Sequence, residues 1–251
     1  MTIVDDRNVV ARTLSEAWLA AVCLLASSTE GSAVHLIVRI LDPGTEVPNI
    51  RRAAQKIIDD LAGYPDIETT RNTIFPAAWA RRFPEPQDLA EYYQARYNRD
   101  GILGFPHNER GTYFGRLVAY PRIDGSTADQ LTDVVRKVRD ELATPNPKSS
   151  RYEMNVYCEA RDRSPMSFPC LAHVSLHLHH RRLHMQAVYR NEHLVARAYG
   201  NYLGLSQLLV YVSQACDTEP GELMVTVGHV TLDAGKRRVA ALLAEFQNDA
   251  S

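Results

Sequence analysis

The chain's candidate nucleophiles are four cysteines, Cys23, Cys158, Cys170 and Cys216. None lies in a Cys-x-x-Cys pair, so the spacing indicates neither a zinc site nor a thioredoxin-type couple. Cys170 follows Pro169 and opens the most regular stretch of the sequence, where Ala172, Val174, Leu176 and Leu178 alternate with His173, Ser175, His177 and His179. Such alternation puts the apolar set on one face of a strand and the polar set on the other. A cysteine attacks as its thiolate, which a neighbouring cation favours; in apolar surroundings the same residue is simply a small hydrophobe. His173, His177, His179, His180 and His184 invite a metal reading, since alternate strand positions share a face. Carboxylate or cysteine partners at ligand spacing are missing, so the sequence predicts a polar stripe on a hairpin and no metal.

These residues need a scaffold. His180-Arg181-Arg182 can turn, and Leu183 to Tyr189 returns as the partner strand. Upstream, residues 8–26 read as one amphipathic helix, with Val9, Leu14, Trp18, Ala21 and Leu25 near helical spacing. Ala33 to Leu41 is an apolar, β-branched run that predicts a strand, ended by Pro43-Gly44. A helix follows around Ile50 to Leu61. Pro65, Pro76, Pro84 and Pro86 make residues 62–88 read as irregular; Leu89 to Tyr97 reads as helix and 98–112 as loop. Leu131, Val134, Val135, Val138 and Leu142 share one face of a helix over Ala128 to Leu142, with Ser126 or Thr127 as its candidate cap. Tyr152 to Tyr157 predicts a strand, Asn201 to Ala215 an apolar helix, Leu223 to Leu232 a strand and Ala234 to Phe246 a last helix. Strands and helices mix without a strict βαβ rhythm, so the fold class is α+β, read as a single domain over 1–251.

A formal net charge of -2 over 251 residues gives no whole-chain basic field, so no nucleic-acid partner is expected. The apolar stretch Ala17 to Ala26 is too short to cross a bilayer and lacks a basic flank directly before it. The expectation is a cytoplasmic protein with reduced thiols and no membrane contact.

The second half carries an ordered set of motifs. Tyr113-Phe114-Gly115-Arg116 leads to Tyr120-Pro121 and Asp124-Gly125, then to a helix containing Asp129-Gln130-Leu131. Ser149-Ser150-Arg151 enters a strand. Pro169-Cys170 opens the long hairpin, which ends at Tyr189-Arg190-Asn191. Asn201 sits in the next helix, and Glu219-Pro220-Gly221-Glu222-Leu223 and Gly228 follow. Taken in order, from Gly111 to Phe246, these segments resemble the thymidylate synthase family, and Arg151 through Thr231 aligns with it without a gap. Residues 1–110 match no motif and read as a diverged or replaced N-terminal part.

The resemblance implies a thymidylate-synthase-like fold, a mixed sheet with flanking helices, forming a homodimer through the sheet face with shared active sites. It implies a pyrimidine nucleotide monophosphate as substrate, with Cys170 adding to C6 of the ring and C5 receiving a methyl or hydroxymethyl group. Arg190 matches the arginine that touches both thiol and phosphate, a double role suited to a guanidinium, which stays charged and forks. Arg151 matches an arginine reaching the partner subunit's phosphate. Asn201 matches the amide that reads the pyrimidine edge, and Asn is equally a good helix cap. Asn191 falls among the substrate-binding residues, and a tyrosine of the proton network falls at Tyr113 or Phe114.

The sequence also departs from the family. Leu171 replaces the histidine after the nucleophile, and Ser150 replaces the first of two interface arginines. His193 and His229 replace two aspartates and form a candidate acid–base pair, with His193 placed among the catalytic residues and His229 at the substrate. Thr231 and Asp233 stand where a histidine and a tyrosine hold the sugar. Glu68 and Glu91 are candidates for a missing proton-relay glutamate. The implied one-carbon donor is 5,10-methylenetetrahydrofolate. The family's closing tail has no counterpart after Leu243, so the donor is expected only if another element shuts the site. Two rival readings follow: a non-catalytic nucleotide-binding or assembly homologue, and a folate-independent nucleotide hydrolase.

Overall fold

The computed structural model describes residues 2–164 and 169–249. In chain order, strands β1 (Ile3–Val4) and β2 (Asn8–Thr13) lead through helix α1 (Leu14–Ser27) to strand β3 (Ser32–Asp42). Helices α2 (Pro48–Asp59), α3 (Ile67–Ile74), α4 (Ala77–Ala80), α5 (Pro86–Gln94) and α6 (Tyr113–Val118) follow, then a small ribbon of β4 (Tyr120–Pro121) with β5 (Thr127–Ala128). Helix α7 (Gln130–Leu142) precedes β6 (Tyr152–Asn155), β7 (Leu171–His179) and β8 (Arg182–His193). A π-helical turn, Leu194–Ala198, runs into α8 (Tyr199–Ala215), followed by β9 (Glu219–Thr231) and α9 (Lys236–Asp249).

One seven-stranded sheet of order β1-β2-β3-β9-β8-β7-β6 organises the fold. It is mixed: β2 pairs with β3 and β8 with β9 in parallel, and the remaining pairs are antiparallel. The α+β class and the thymidylate-synthase-like mixed sheet predicted from sequence are what the chain adopts. Register places like with like. Ala11, Ile40, Leu223, Met185, Leu176 and Tyr152 form one row across six strands, and all are buried. Helices α1 and α8 pack on this face, where removal of apolar surface from water supplies the main drive for folding.

Two sequence expectations fail for identifiable reasons. Residues 8–26 are not one helix: Asn8–Thr13 is strand β2, with Val9, Ala11 and Thr13 buried at a period of two. Thr13 then caps α1, its hydroxyl accepting from Glu16 N while the Glu16 carboxylate accepts from Thr13 N. This capping box sets the true helix start. Residues 62–88 are not irregular. Asp66 caps α3, Pro76 precedes α4, and Pro86 sits in the first turn of α5, so two of the four prolines mark helix starts. The cap of α7 is Asp129, which accepts from Thr132 N at 3.0 Å, and neither Ser126 nor Thr127.

The hairpin turns at His180 and Arg181, both with positive φ (47° and 58°), which gives a two-residue connection whose twist suits the strands. The sheet also changes phase near the thiol. Buried positions run 183, 185, 187, 189 along β8 and then skip to Glu192; in β9 they run 221, 223, 225, 227 and skip to Val230. Tyr189 pairs with Val227 and Glu192 with Val230, so both strands kink at the same level. In β7 a bulge between Leu171 and His173 falls at that level too, since Leu171 pairs with Tyr189. Bulges re-aim side chains, and this one aligns Leu171 with the buried row.

Candidate active site

At this kink the sheet meets α3, α6 and the π-turn around a cavity of about 570 Å³, within the size range of pockets that bury small ligands (about 300–1,000 Å³). Each element brings a distinct group. Cys170 stands at the bulged start of β7, Asn191, Glu192 and His193 at the end of β8, Tyr113 at the start of α6, and Asn201 in the first turn of α8. Arg110, Arg116 and Arg197 bring three guanidinium groups to the same cavity.

The helix α8 is seated by contacts the sequence conceals. Asp233, aligned with a sugar ligand in the family, instead accepts from Val195 N at 2.8 Å and Ala196 N at 3.1 Å. Trp18 Nε1 donates to the Leu194 carbonyl at 2.9 Å. Together they fix the π-turn, a feature that often marks functional positions. Helix α3 comes close to α8 at two glycines: a Cβ on Gly200 would lie 2.7 Å from Thr70 Cβ, and one on Gly204 2.8 Å from Ile74 Cβ. That approach puts Thr70 and Thr73 in the lining of the cavity that holds Cys170.

The polar network centres on Glu192, only 2% exposed. Its Oε1 accepts from Asn201 Nδ2 at 3.0 Å and its Oε2 from the Tyr202 hydroxyl at 3.1 Å. Burial raises its pKa to about 7, against the lowering effect of those two donors, and Asp233 adds a smaller push upward. Asn201 is therefore not a helix cap; its amide is committed to Glu192. The Tyr189 hydroxyl is buried beside this network and has no hydrogen-bond partner among the described residues.

Cys170 is half-buried, and burial pushes its thiol upward. Arg190 and Arg197 pull the other way, and Glu192 adds to the rise. The expectation of a thiol activated by Arg190 thus meets a competing desolvation cost that wins in the isolated chain. Arg190 itself is exposed, donates its Nε to the Pro169 carbonyl at 3.1 Å, and lies outside the cavity lining. Arg197 is the more buried cation. Its guanidinium lies 5.7 Å from the Tyr64 ring and donates to the Thr70 hydroxyl at 3.4 Å. Among the described residues no carboxylate is ion-paired with it. Desolvation lowers its pKa. Arg116 is held by Asp162 at 2.7 Å.

The other predicted residues divide. His193 lines the cavity, its ring 6.0 Å from that of Tyr64 and its Nδ1 3.4 Å from the Thr231 hydroxyl. His229 does not line it; its Nδ1 pairs with Asn191 Oδ1 at 3.0 Å, so the two histidines are not assembled as an acid–base pair. Of the two aromatic candidates Tyr113 lines the cavity, its phenol against the backbone of Cys170 and Leu171, whereas Phe114 packs on Phe75 and Tyr93 in the core. Arg151 lies outside the cavity, paired with Glu141 at 2.7 Å. Glu68 is paired with Arg51 and Arg71, and Glu91 accepts from Gln87, so neither faces Cys170. His173 contacts Glu153 at 2.6 Å and Asn155 at 3.0 Å. Among the described residues no cluster of three or more His, Cys, Asp or Glu is placed to hold a metal.

The model of one family, thymidylate synthase, matches residues 37–237. The chain belongs to the thymidylate synthase family. The match starts upstream of the motifs quoted above and takes in the second half of β3, helices α2 to α5 and every cavity-lining element. No curated protein matches the chain closely enough to name an activity. At the family level the activity is that of a nucleotide methyl- or hydroxymethyltransferase. Within the described residues no helix is long and apolar enough to cross a membrane.

Sequence reasoning missed Glu192, Arg197, Arg110 and Tyr64. One of these had a readable signal: Arg197 interrupts the apolar run Leu194 to Tyr199. A charged residue in such a setting is rarely buried without a purpose. Glu192 had none, since alternation along β8 places it on the outer face.

Proposed function

We propose that this protein modifies a pyrimidine nucleoside monophosphate at C5 through a covalent adduct between Cys170 and C6 of the ring. The observation that carries this reading is one cavity in which a cysteine faces a base-reading amide, a titratable carboxyl and three arginines. Arg110, Arg116 and Arg197 suit a phosphate, which guanidinium groups bind through forked hydrogen bonds. Arg190 acts on the thiol from outside the lining, and its opposing effect on the Cys170 pKa supports that role.

The homodimer belongs to the same proposal. The sheet face away from α1 and α8 carries half-buried Ile37, Met224, Thr226 and Val188. A second copy on that face would cover it and bring Arg151 toward the partner's site. The family's donor, 5,10-methylenetetrahydrofolate, would meet a mostly polar lining: beside Thr70, Thr73 and the three arginines, Tyr64 and Tyr113 are the tyrosine rings a pteridine could stack on. No step is derived through a folate.

A second reading, a nucleotide-binding relative without the reaction, is favoured by the raised pKa of the Cys170 thiol. A thermal-shift panel of UMP, dUMP, CMP and dCMP on the wild type, Cys170→Ser and Arg197→Ala tests the proposal. Ligand binding to the native state raises the melting temperature by mass action. A shift for one nucleotide that survives Cys170→Ser and collapses in Arg197→Ala supports a phosphate held beside the thiol. No shift for any nucleotide at millimolar concentration counts against both readings.

A further inference from the structure

We propose that Glu192 is a catalytic acid–base residue of this site, giving a proton to the C4 oxygen of a uracil ring as the Cys170 thiolate adds at C6. This rests on the reading of the cavity as a pyrimidine nucleotide site and deepens it. Glu192 lines the same cavity as Cys170 and is 2% exposed. The sheet kink shared by β8 and β9 turns it inward, at a position where strict alternation from Tyr189 would turn it outward.

The surroundings suit a group that must exist in both protonation states. Asn201 and Tyr202 each donate to one carboxylate oxygen and support the ion. Burial favours the neutral acid, and the Asp233 carboxylate favours it too. The Cys170 thiol, Tyr189 and Tyr202 are within electrostatic reach of it, and Tyr113, His193, Arg110, Arg116 and Arg197 line the same cavity. The opposed influences leave the carboxyl at about 7, where a general acid–base group works best near neutral pH. A buried carboxylic acid kept neutral so that it can donate is an established device.

The same contact bears on the base. With one Asn201 Nδ2 hydrogen given to Glu192, the amide keeps Oδ1 and its second N–H for a ligand. Those two groups match the N3–H and C4 oxygen of uracil, and a neutral Glu192 finds an oxygen to donate to at C4 in uracil but an amine in cytosine. Uracil is therefore the ring this pair favours.

The step balances. The S–C6 bond forms, the C5=C6 pair moves to C4–C5, the C4=O pair moves to oxygen, and that oxygen takes the Glu192 proton. The products are a C6 thioether enol and the Glu192 carboxylate. The enol can take a solvent hydron at C5 as Glu192 regains its proton. Loss of the original C5 hydrogen and expulsion of the thiolate then return uracil with C5 exchanged, needing no co-reactant.

The test is proton NMR of UMP and dUMP in deuterated buffer with the full chain, following loss of the H5 signal as a function of pH. The wild type is expected to exchange H5 with a pH limb near 7. Glu192→Gln is expected to lose ~100-fold or more in rate, the scale of general acid–base catalysis, and to lose the limb while keeping its nucleotide thermal shift. Wild-type rate and limb in Glu192→Gln would overturn the role of Glu192 and leave the nucleotide reading standing. No exchange by the wild type would remove both. Should Glu192→Gln fail to fold, Glu192→Asp carries the test: a slowed rate with a limb that persists supports the proposal, and an unchanged rate overturns it.

Discussion

Asn201 Nδ2 donates to Oε1 of Glu192 at 3.0 Å, joining the end of β8 to the first turn of α8 inside the Cys170 cavity. One member of this pair is legible as a base reader from the family resemblance; the other emerges only from the fold. The contact sets the ionisation of the carboxyl and the free edge of the amide together.

Removing the donor tests the first consequence. Asn201→Ala leaves buried Glu192 with Tyr202 as its one remaining hydrogen-bond donor among the described residues. A buried polar group losing a partner costs ~1–3 kcal/mol, and chemical denaturation is expected to show a loss of that size. Glu192→Gln in the same background is expected to recover part of it, because a neutral side chain needs less support.

Glu192 also predicts a pH dependence of stability. Its carboxyl is raised from 4.5 to about 7 in the folded chain, so the native state holds this proton more tightly than the unfolded state does. Its contribution to stability is full below about 4.5, is lost as the pH rises toward about 7, and is level above that. The total change is ~3 kcal/mol for a gap of this size. Denaturation of wild type and Glu192→Gln across this window is expected to show the falling slope in the wild type alone.

The thiol can be followed directly. Burial and Glu192 raise the Cys170 pKa, and Arg190 and Arg197 lower it. Alkylation of Cys170, mapped by mass spectrometry to separate it from exposed Cys23, is expected to be slow at neutral pH. Arg190→Ala should move its pH profile further upward, and Glu192→Gln should move it downward. An Arg190→Ala profile that does not move would remove Arg190 from thiol activation.

Much of the fold is legible in the sequence because its periodicity is clean. The apolar alternation of β7, the face shared by Leu131, Val134, Val135 and Val138, and the apolar length of α8 all emerge from spacing alone. What stays hidden are local signals that override spacing. Val9 and Trp18 fit a helical period, yet the Thr13–Glu16 capping box starts the helix at Leu14. Pro76 and Pro86 read as breakers but begin helices. The site is hidden in a different way. A kink shared by two strands turns Glu192 inward, a displacement that leaves no mark in the sequence, and the one trace of the π-turn that presents Arg197 is a charge set in an apolar run.

The close approach of α3 to α8 predicts a stability effect remote from the chemistry. Gly204→Ala places a Cβ against Ile74 Cβ, where 2.8 Å is available. Overpacking of this kind costs ~1–3 kcal/mol, and a lower melting temperature is expected. Because α3 carries Thr70 and Thr73, nucleotide-induced thermal shifts should weaken as well.

The most direct test of the account is whether Cys170 adds to a pyrimidine ring. Incubating the wild type and Cys170→Ser with UMP, dUMP, CMP and dCMP in deuterated buffer, without folate, and watching H5 by proton NMR decides it. The account predicts exchange of H5 in a uracil nucleotide by the wild type and none by Cys170→Ser. Equal exchange by both, or nucleotide binding with no exchange by either, would contradict a nucleophilic Cys170 and leave a binding protein in its place.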